Sequence, residues 1–318
     1  MKLHEHPEFE QAILQAAAHH GLSEQFIEKD HYVTEILRIT VQHLGNRAVF
    51  KGGTSLSKGW KLIKRFSEDI DLFIDLTDMD PQPGRHARDK IMKGLAEKVA
   101  EHPALTWLDD HRTGRGVSRT DNYSYETFFD EIPGMAPRVQ LEPGIRSGRL
   151  PCQLRTITSL IGEFLTETGR SDLAEDIAGF DMTVLGYERT FVEKMFALND
   201  RVIRVQKGGA PLARDARHYA DLYVLGERED VRAMLASEEY RTIREDCHEK
   251  NLEYFSDTYR EPPGLSFAKS PALFPPAELR EQLQQDYENQ CNVLFEEGEP
   301  YPEFADVLAC FADLKDLL

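Results

Sequence analysis

The stretch FKGGTSLSKGWKLIKRFSEDIDLFID, residues 50–75, sets the glycine pair Gly52-Gly53, four lysines and Arg65 directly ahead of a segment carrying Asp69, Asp71 and Asp75. Ala48-Val49-Phe50 reads as a short buried strand that ends at the glycines. The pattern predicts a helix from about Thr54 to Lys64 and a second strand from about Ile70 to Ile74. Strand, Gly-Gly, helix, then strand with Asp-x-Asp can place a phosphate cradle and a metal clamp at one edge of one sheet. That order decides the reading of the fold.

At the glycine end, residues without a Cβ let backbone approach a ligand closely. Thr54 and Ser55 are expected to cap the following helix, whose first amides favour an anion. On that helix Leu56, Trp60 and Ile63 share one face, while Lys58, Lys61 and Lys64 or Arg65 share another. A basic stripe of this kind could hold phosphates; a solvated surface, the ordinary fate of a lysine-rich helix face, is the other reading. It is not a P-loop: Ser57 stands where GxxxxGK[ST] needs glycine, and Gly59 follows the lysine.

At the aspartate end, period two puts Asp69 and Asp71 on one strand face, with Ile70, Leu72 and Ile74 on the other. Two carboxylates that close repel each other, and aspartate is a poor strand former. A cation between them removes the conflict. Mg²⁺ takes hard oxygen ligands, commonly one or two carboxylates plus substrate phosphates. A two-metal site calls for a third carboxylate on a neighbouring strand. Glu142, at the end of Pro137-Arg138-Val139-Gln140-Leu141-Glu142, is the candidate; an exposed strand-end glutamate is the other reading.

Working outward, 318 residues suffice for two domains or one large one. Hydrophobic content of 41% fits a globular chain with a real core. No window approaches a membrane span and the N-terminus lacks a signal-peptide pattern, so a cytoplasmic location is expected. The four cysteines form no CxxC pair and read as reduced thiols. His4 and His6 lie in an N-terminal stretch expected to fray, a poor place for metal ligands. The net charge of −18 argues against a general polyanion-binding surface. It leaves room for a local basic patch.

Residues 7–43 read as two helices, with Ser23 as N-cap of the second. Residues 87–100 read as a helix, and 104–142 as strand-rich. From about 153 the pattern is mostly helical, interrupted by the proline-rich segment 261–276. The expected architecture is an α/β (α+β) domain with a mixed sheet over 1–160, followed by a mainly helical domain over 161–318.

FKGGTSLSK followed by RFSEDIDL resembles the nucleotidyltransferase-like toxins of the AbiEii/AbiGii family. Ile27–Leu37 is similar to the family's N-terminal helix, Glu188–Leu198 to its third motif and Arg217–Tyr223 to its fourth. The family comprises the toxin halves of bacterial toxin–antitoxin and phage abortive-infection systems, related in fold to polymerase-β-type nucleotidyltransferases. The resemblance implies that Gly52, Gly53, Ser55 and Lys58 belong to the phosphate-binding motif. It makes Asp69 and Asp71 the metal-binding carboxylates, Lys194 the nucleotide-contacting lysine and Asp221 the aspartate of the fourth motif. Thr54, Arg65, Ser67, Arg201 and Arg217 complete the candidate nucleotide contacts. The expected activity is Mg²⁺-dependent (or Mn²⁺-dependent) transfer of a nucleotide from an NTP to an acceptor, foremost the 3′ end of tRNA, countered by an antitoxin encoded nearby. Transfer to a small molecule or a protein hydroxyl, and NTP binding without catalysis, stay open.

From the residues alone, Phe191, Met195, Leu198, Val202 and Val205 form the core stripe of the helix over 191–205. Lys194, Arg201 and Arg204 lie together on another face. Arg217 and Asp221 are four apart, the spacing of a plain structural salt bridge. The acidic charge would confine RNA contact to 58–65, to Arg201, Arg204 and Lys207, and to Lys269.

Overall fold

The structure is a computed structural model, and it describes residues 1–63, 69–114, 116–130, 135–295 and 301–318. The described residues fall into two compact units, one of residues 1–60, 69–145 and 152–184, the other of 61–63, 146–151 and 185–318.

The first unit runs α1 (Phe9–His20), α2 (Glu24–Leu44), β1 (Ala48–Lys51), the single turn α3 (Gly52–Thr54), β2 (Asp69–Ile74) and α4 (Arg85–Ala100). It continues through β3 (Thr106–Trp107), β4 (Arg112–Thr113), β5 (Arg119–Ser124), β6 (Arg138–Gly144), β7 (Cys152–Ile157), α5 (Leu160–Glu167) and β8 (Phe180–Leu185). The strands form a mixed sheet in the order β3-β5-β6-β2-β1-β8-β7, with β4 paired to β5. β1 is antiparallel to β2 and parallel to β8, and β2 is parallel to β6.

α2 is the central helix of this unit, packed against α1, α4, α5 and the strands β1 and β6. Its polar residues Glu28, Lys29, His31 and Glu35 are consequently buried along with Ile27, Ile36 and Leu37. Buried charge is tolerated only with partners. Glu28 accepts from Thr127 Oγ1 at 2.5 Å and from the Phe128 amide at 3.2 Å, while burial still raises its pKa. Lys29 donates to the Ala136 carbonyl at 3.2 Å, and Glu35 accepts from Arg38 Nε at 2.9 Å.

Three expectations are corrected. The helix expected over Thr54–Lys64 stops early: Gly52–Thr54 leads into one π-type turn, Ser55–Gly59, closed by the Trp60 amide on the Ser55 carbonyl at 3.0 Å. Gly59 weakens the helix and Lys61, at φ 55°, leaves helical space, so Lys58 and Lys61 do not share a helix face. Lys64 and Arg65 lie outside the described residues. The region after 153 holds two strands that the helical reading passed over, CQLRTI and FDMTVL, each carrying only one adjacent β-branched pair, Thr156-Ile157 and Thr183-Val184. Finally, the N-terminus is ordered into a 3₁₀ turn, Leu3–Glu5, because Leu3 is buried at 1% exposure and its amide bonds Asp176 Oδ1 at 2.8 Å.

The second unit is built from α6 (Tyr187–Gln206), α7 (Arg217–Gly226), α8 (Glu229–Leu235), α9 (Glu238–Phe255), α10 (Ala277–Leu294) and α11 (Phe304–Leu314). The stripe Phe191, Met195, Leu198, Val202 and Val205 is buried as its spacing predicts. α7 packs on α6, α10 and α11, with Tyr219 edge-on to Tyr287 and Phe304. The proline-rich segment is a packed part of this core. Phe267 is fully buried edge-on to Phe196, Ser270 Oγ donates to Asn199 Oδ1 at 2.7 Å, and the Ala272 carbonyl accepts from Tyr219 Oη at 2.8 Å. All four cysteines are free thiols. Among the described residues no helix is long and apolar enough to cross a membrane.

Candidate active site

The site in the first unit follows from strand register. β2 and β6 run parallel with Asp69 opposite Gln140 and Asp71 opposite Glu142. Parallel neighbours lie about 4.8 Å apart with side chains on a shared face, so the pairing gathers three carboxylates and one amide. Gln140 Nε2 donates to Asp69 Oδ1 at 2.9 Å and to Glu142 Oε1 at 2.5 Å. One neutral side chain thereby orients two anions. Asp69 is buried at 3% exposure, and Asp71 and Glu142 are half-buried. The strand β1 places Lys51 opposite Asp71.

Gly52 closes the site. Its φ of 75° lies in the left-handed region, and a Cβ added there would fall 2.0 Å from Asp71 Oδ2. Only a residue without a side chain lets the turn pass this carboxylate. Gly53 is buried beside it.

The hydroxyls expected as helix caps do other work. Thr54 Oγ1 donates to the Asp69 carbonyl at 2.5 Å, tying the turn to β2, and Ser55 Oγ donates back to the Gly52 carbonyl at 2.9 Å. The start of α3 has no side-chain cap. Lys58 Nζ sits 2.6 Å from Asp30 Oδ1 on α2 and 3.1 Å from the Thr158 carbonyl, with both partners of the ion pair largely buried. Asp30 Oδ2 in turn accepts from the Leu160 amide at 2.7 Å. Arg65 and Ser67 lie outside the described residues.

The donor set answers whether a divalent cation suits this place. Asp69, Asp71 and Glu142 offer oxygen only, the hard ligands that Mg²⁺ and Mn²⁺ prefer. The missing Cβ of Gly52 keeps space at Asp71 Oδ2. The residues fit such an ion.

In the second unit Lys194 of α6 is buried, with Nζ 2.8 Å from Asp221 Oδ2 on α7 and 3.2 Å from His218 Nδ1. Lys194 has only donors, so His218 accepts through Nδ1 as a neutral ring. Asp221 is fully buried. Arg201 pairs with Asp215 at 2.5 Å, and Arg204 pairs with Asp200. Arg217 opens α7, one turn ahead of Asp221.

Sequence reasoning passed over Gln140, Lys51, Asp30 and His218. Gln140 carried a signal, since it precedes Glu142 by two on the same strand face. Asp30 and His218 lie within stretches that resemble the family, but their partners, and that of Lys51, follow only from the pairing of β1 with β2, of α2 with the turn, and of α6 with α7.

No curated protein matches the chain. A family profile does, over residues 35–310: that of the nucleotidyl transferase AbiEii toxin of type IV toxin–antitoxin systems. The matched span contains the glycine turn, all three carboxylates, Lys194 and Asp221. Covering most of the chain, this match establishes the family: the chain belongs to the AbiEii nucleotidyl transferase toxins.

Proposed function

We propose that this nucleotidyl transferase moves a nucleotide from an NTP onto an RNA acceptor, the 3′ end of tRNA, with Asp69, Asp71 and Glu142 holding two Mg²⁺ ions. The observation that carries the reading is the parallel register of β2 and β6, which faces Asp71 with Glu142 and bridges Asp69 to Glu142 through Gln140. When bound, Mg²⁺ would supply neutralisation of the phosphate charge at these oxygens. The chain supplies positioning, the larger part of catalysis at phosphorus. Gly52 and Gly53 bring backbone amides to the phosphates, and the Thr54 hydroxyl holds that turn to β2. Lys58 could reach a phosphate only by leaving Asp30, so we assign it to bracing the turn against α2.

In the second unit we assign Lys194 the nucleotide contact, with Asp221 holding its ammonium and Arg201 and Arg217 as further contacts. Family membership implies an NTP substrate and a cognate antitoxin. The tRNA acceptor rests on the resemblance, and the 56 acidic against 38 basic residues restrict RNA to a small footprint.

The test incubates the chain with each labelled NTP, Mg²⁺ and total tRNA. Label on RNA, lost in Asp71→Ala, supports the proposal. Label on protein or on a small molecule replaces the acceptor, and NTP binding without transfer overturns catalysis altogether.

A further inference from the structure

The first unit holds a second set of ligating side chains that the proposed reaction does not use. His4 on the Leu3–Glu5 turn, His31 on α2 and Asp176 in the segment before β8 each offer one ligand atom within 4.8 Å of the other two. His31 is 2% exposed and Asp176 4%, and His4 is half-buried at the rim. Five buried polar atoms meet here without a hydrogen-bond partner: both ring nitrogens of His4, Nε2 of His31, Nε2 of His102 and Oδ2 of Asp176. Buried polar atoms in folded proteins are nearly always satisfied, and a cation here would partner three of these five: one nitrogen of His4, His31 Nε2 and Asp176 Oδ2.

We propose that His4, His31 and Asp176 bind a zinc-class divalent ion, separate from the carboxylate centre on β2 and β6, that fastens the N-terminal turn onto α2. Two imidazole nitrogens and one carboxylate oxygen are a three-ligand zinc set, whereas Mg²⁺ prefers oxygen throughout.

The second layer of a metal site is also present. Asp176 Oδ1 already accepts the Leu3 amide at 2.8 Å, which leaves Oδ2 as the oxygen without a partner. Arg38 Nη2 holds the same segment through the Asp176 and Ala178 carbonyls, at 2.8 and 3.0 Å. His102 lies with its ring centroid 4.6 Å from that of His4, and its Nδ1 accepts the Ala104 amide at 3.3 Å. Its Nε2 therefore carries the proton in the neutral ring, and His102 forms the wall of the site rather than a ligand. Ligands about 2.0–2.1 Å from a tetrahedral ion sit closer together than 4.8 Å, so binding would draw the three side chains inward.

The test uses the full chain carrying Asp71→Ala, which disables the carboxylate centre, after stripping with a chelator. Zn²⁺ titration against a chromophoric competitor should give one ion per chain and a raised Tm, and Co²⁺ should give the visible absorption of a low-coordinate site. His4→Gln and Asp176→Asn should each weaken zinc binding by more than about 100-fold, and His102→Gln by about 10-fold. Zinc binding that is absent, or unchanged in both ligand variants, overturns the proposal. Wild-type crystals grown with Zn²⁺ decide it without variants: an anomalous peak among the three side chains supports the site, and a water there overturns it.

Discussion

The two charged clusters, on β2–β6 in the first unit and on α6–α7 in the second, are built on opposite principles. On the sheet, three carboxylates of like sign stand on adjacent strands, oriented by a neutral glutamine. On the helices, one ammonium and one carboxylate meet at 2.8 Å with 7% and 0% of their side chains exposed. The first arrangement gathers repulsion and gains from a cation. The second is compensated within itself, and its desolvation cost is balanced only while both partners remain. A variant in the first should therefore be read in rate, and one in the second in stability as well as rate.

The largest expected effect breaks the comparison if it fails. Asp71→Ala should slow nucleotidyl transfer by about 10⁴-fold or more while leaving the melting temperature close to wild type. A large drop in Tm would mean that this carboxylate is structural. Next, Asp221→Ala should cost about 3–5 kcal/mol in urea unfolding, because it strands Lys194 in the core. The double variant Lys194→Met/Asp221→Leu should recover most of that loss, and a failure to recover would show that Asp221 holds more than this pair.

Gly52→Ala sharpens the contrast. It forces a Cβ into the left-handed region and onto Asp71 Oδ2, so transfer should collapse together with a stability loss of about 1–2 kcal/mol. The smallest effect is expected of Gln140→Ala. Losing two hydrogen bonds to carboxylates at a part-buried site should cost about 1 kcal/mol and about tenfold in rate, read from steady-state transfer.

Legibility followed the range of the interaction. Period-two alternation over Ile70–Ile74 puts Asp69 and Asp71 on one face, and 3.6-residue spacing picks out the buried stripe of α6. Both are properties of a single element. The short turn at 52–59 was misread because a run with helical composition was ended by Gly59 and by the left-handed Lys61, a local choice that periodicity does not register. β7 and β8 were missed because short strands next to long helices leave weak signals.

The sequence by itself determined the elements assigned to the proposed chemistry: the glycine pair, the Asp-x-Asp strand, the Glu142 strand and the lysine-bearing helix. Their residue types and spacings are written into one stretch of chain each. Tertiary structure alone decided which of them face one another. Register brought Glu142 beside Asp71 and made Gln140 their bridge, because side chains 71 positions apart meet only when β2 and β6 pair. Packing turned Lys58 toward Asp30 and Lys194 toward Asp221, since a buried ammonium takes the nearest carboxylate. It also drew a histidine from an N-terminal turn, one from α2 and an aspartate from before β8 into a single cluster that no stretch of sequence contains.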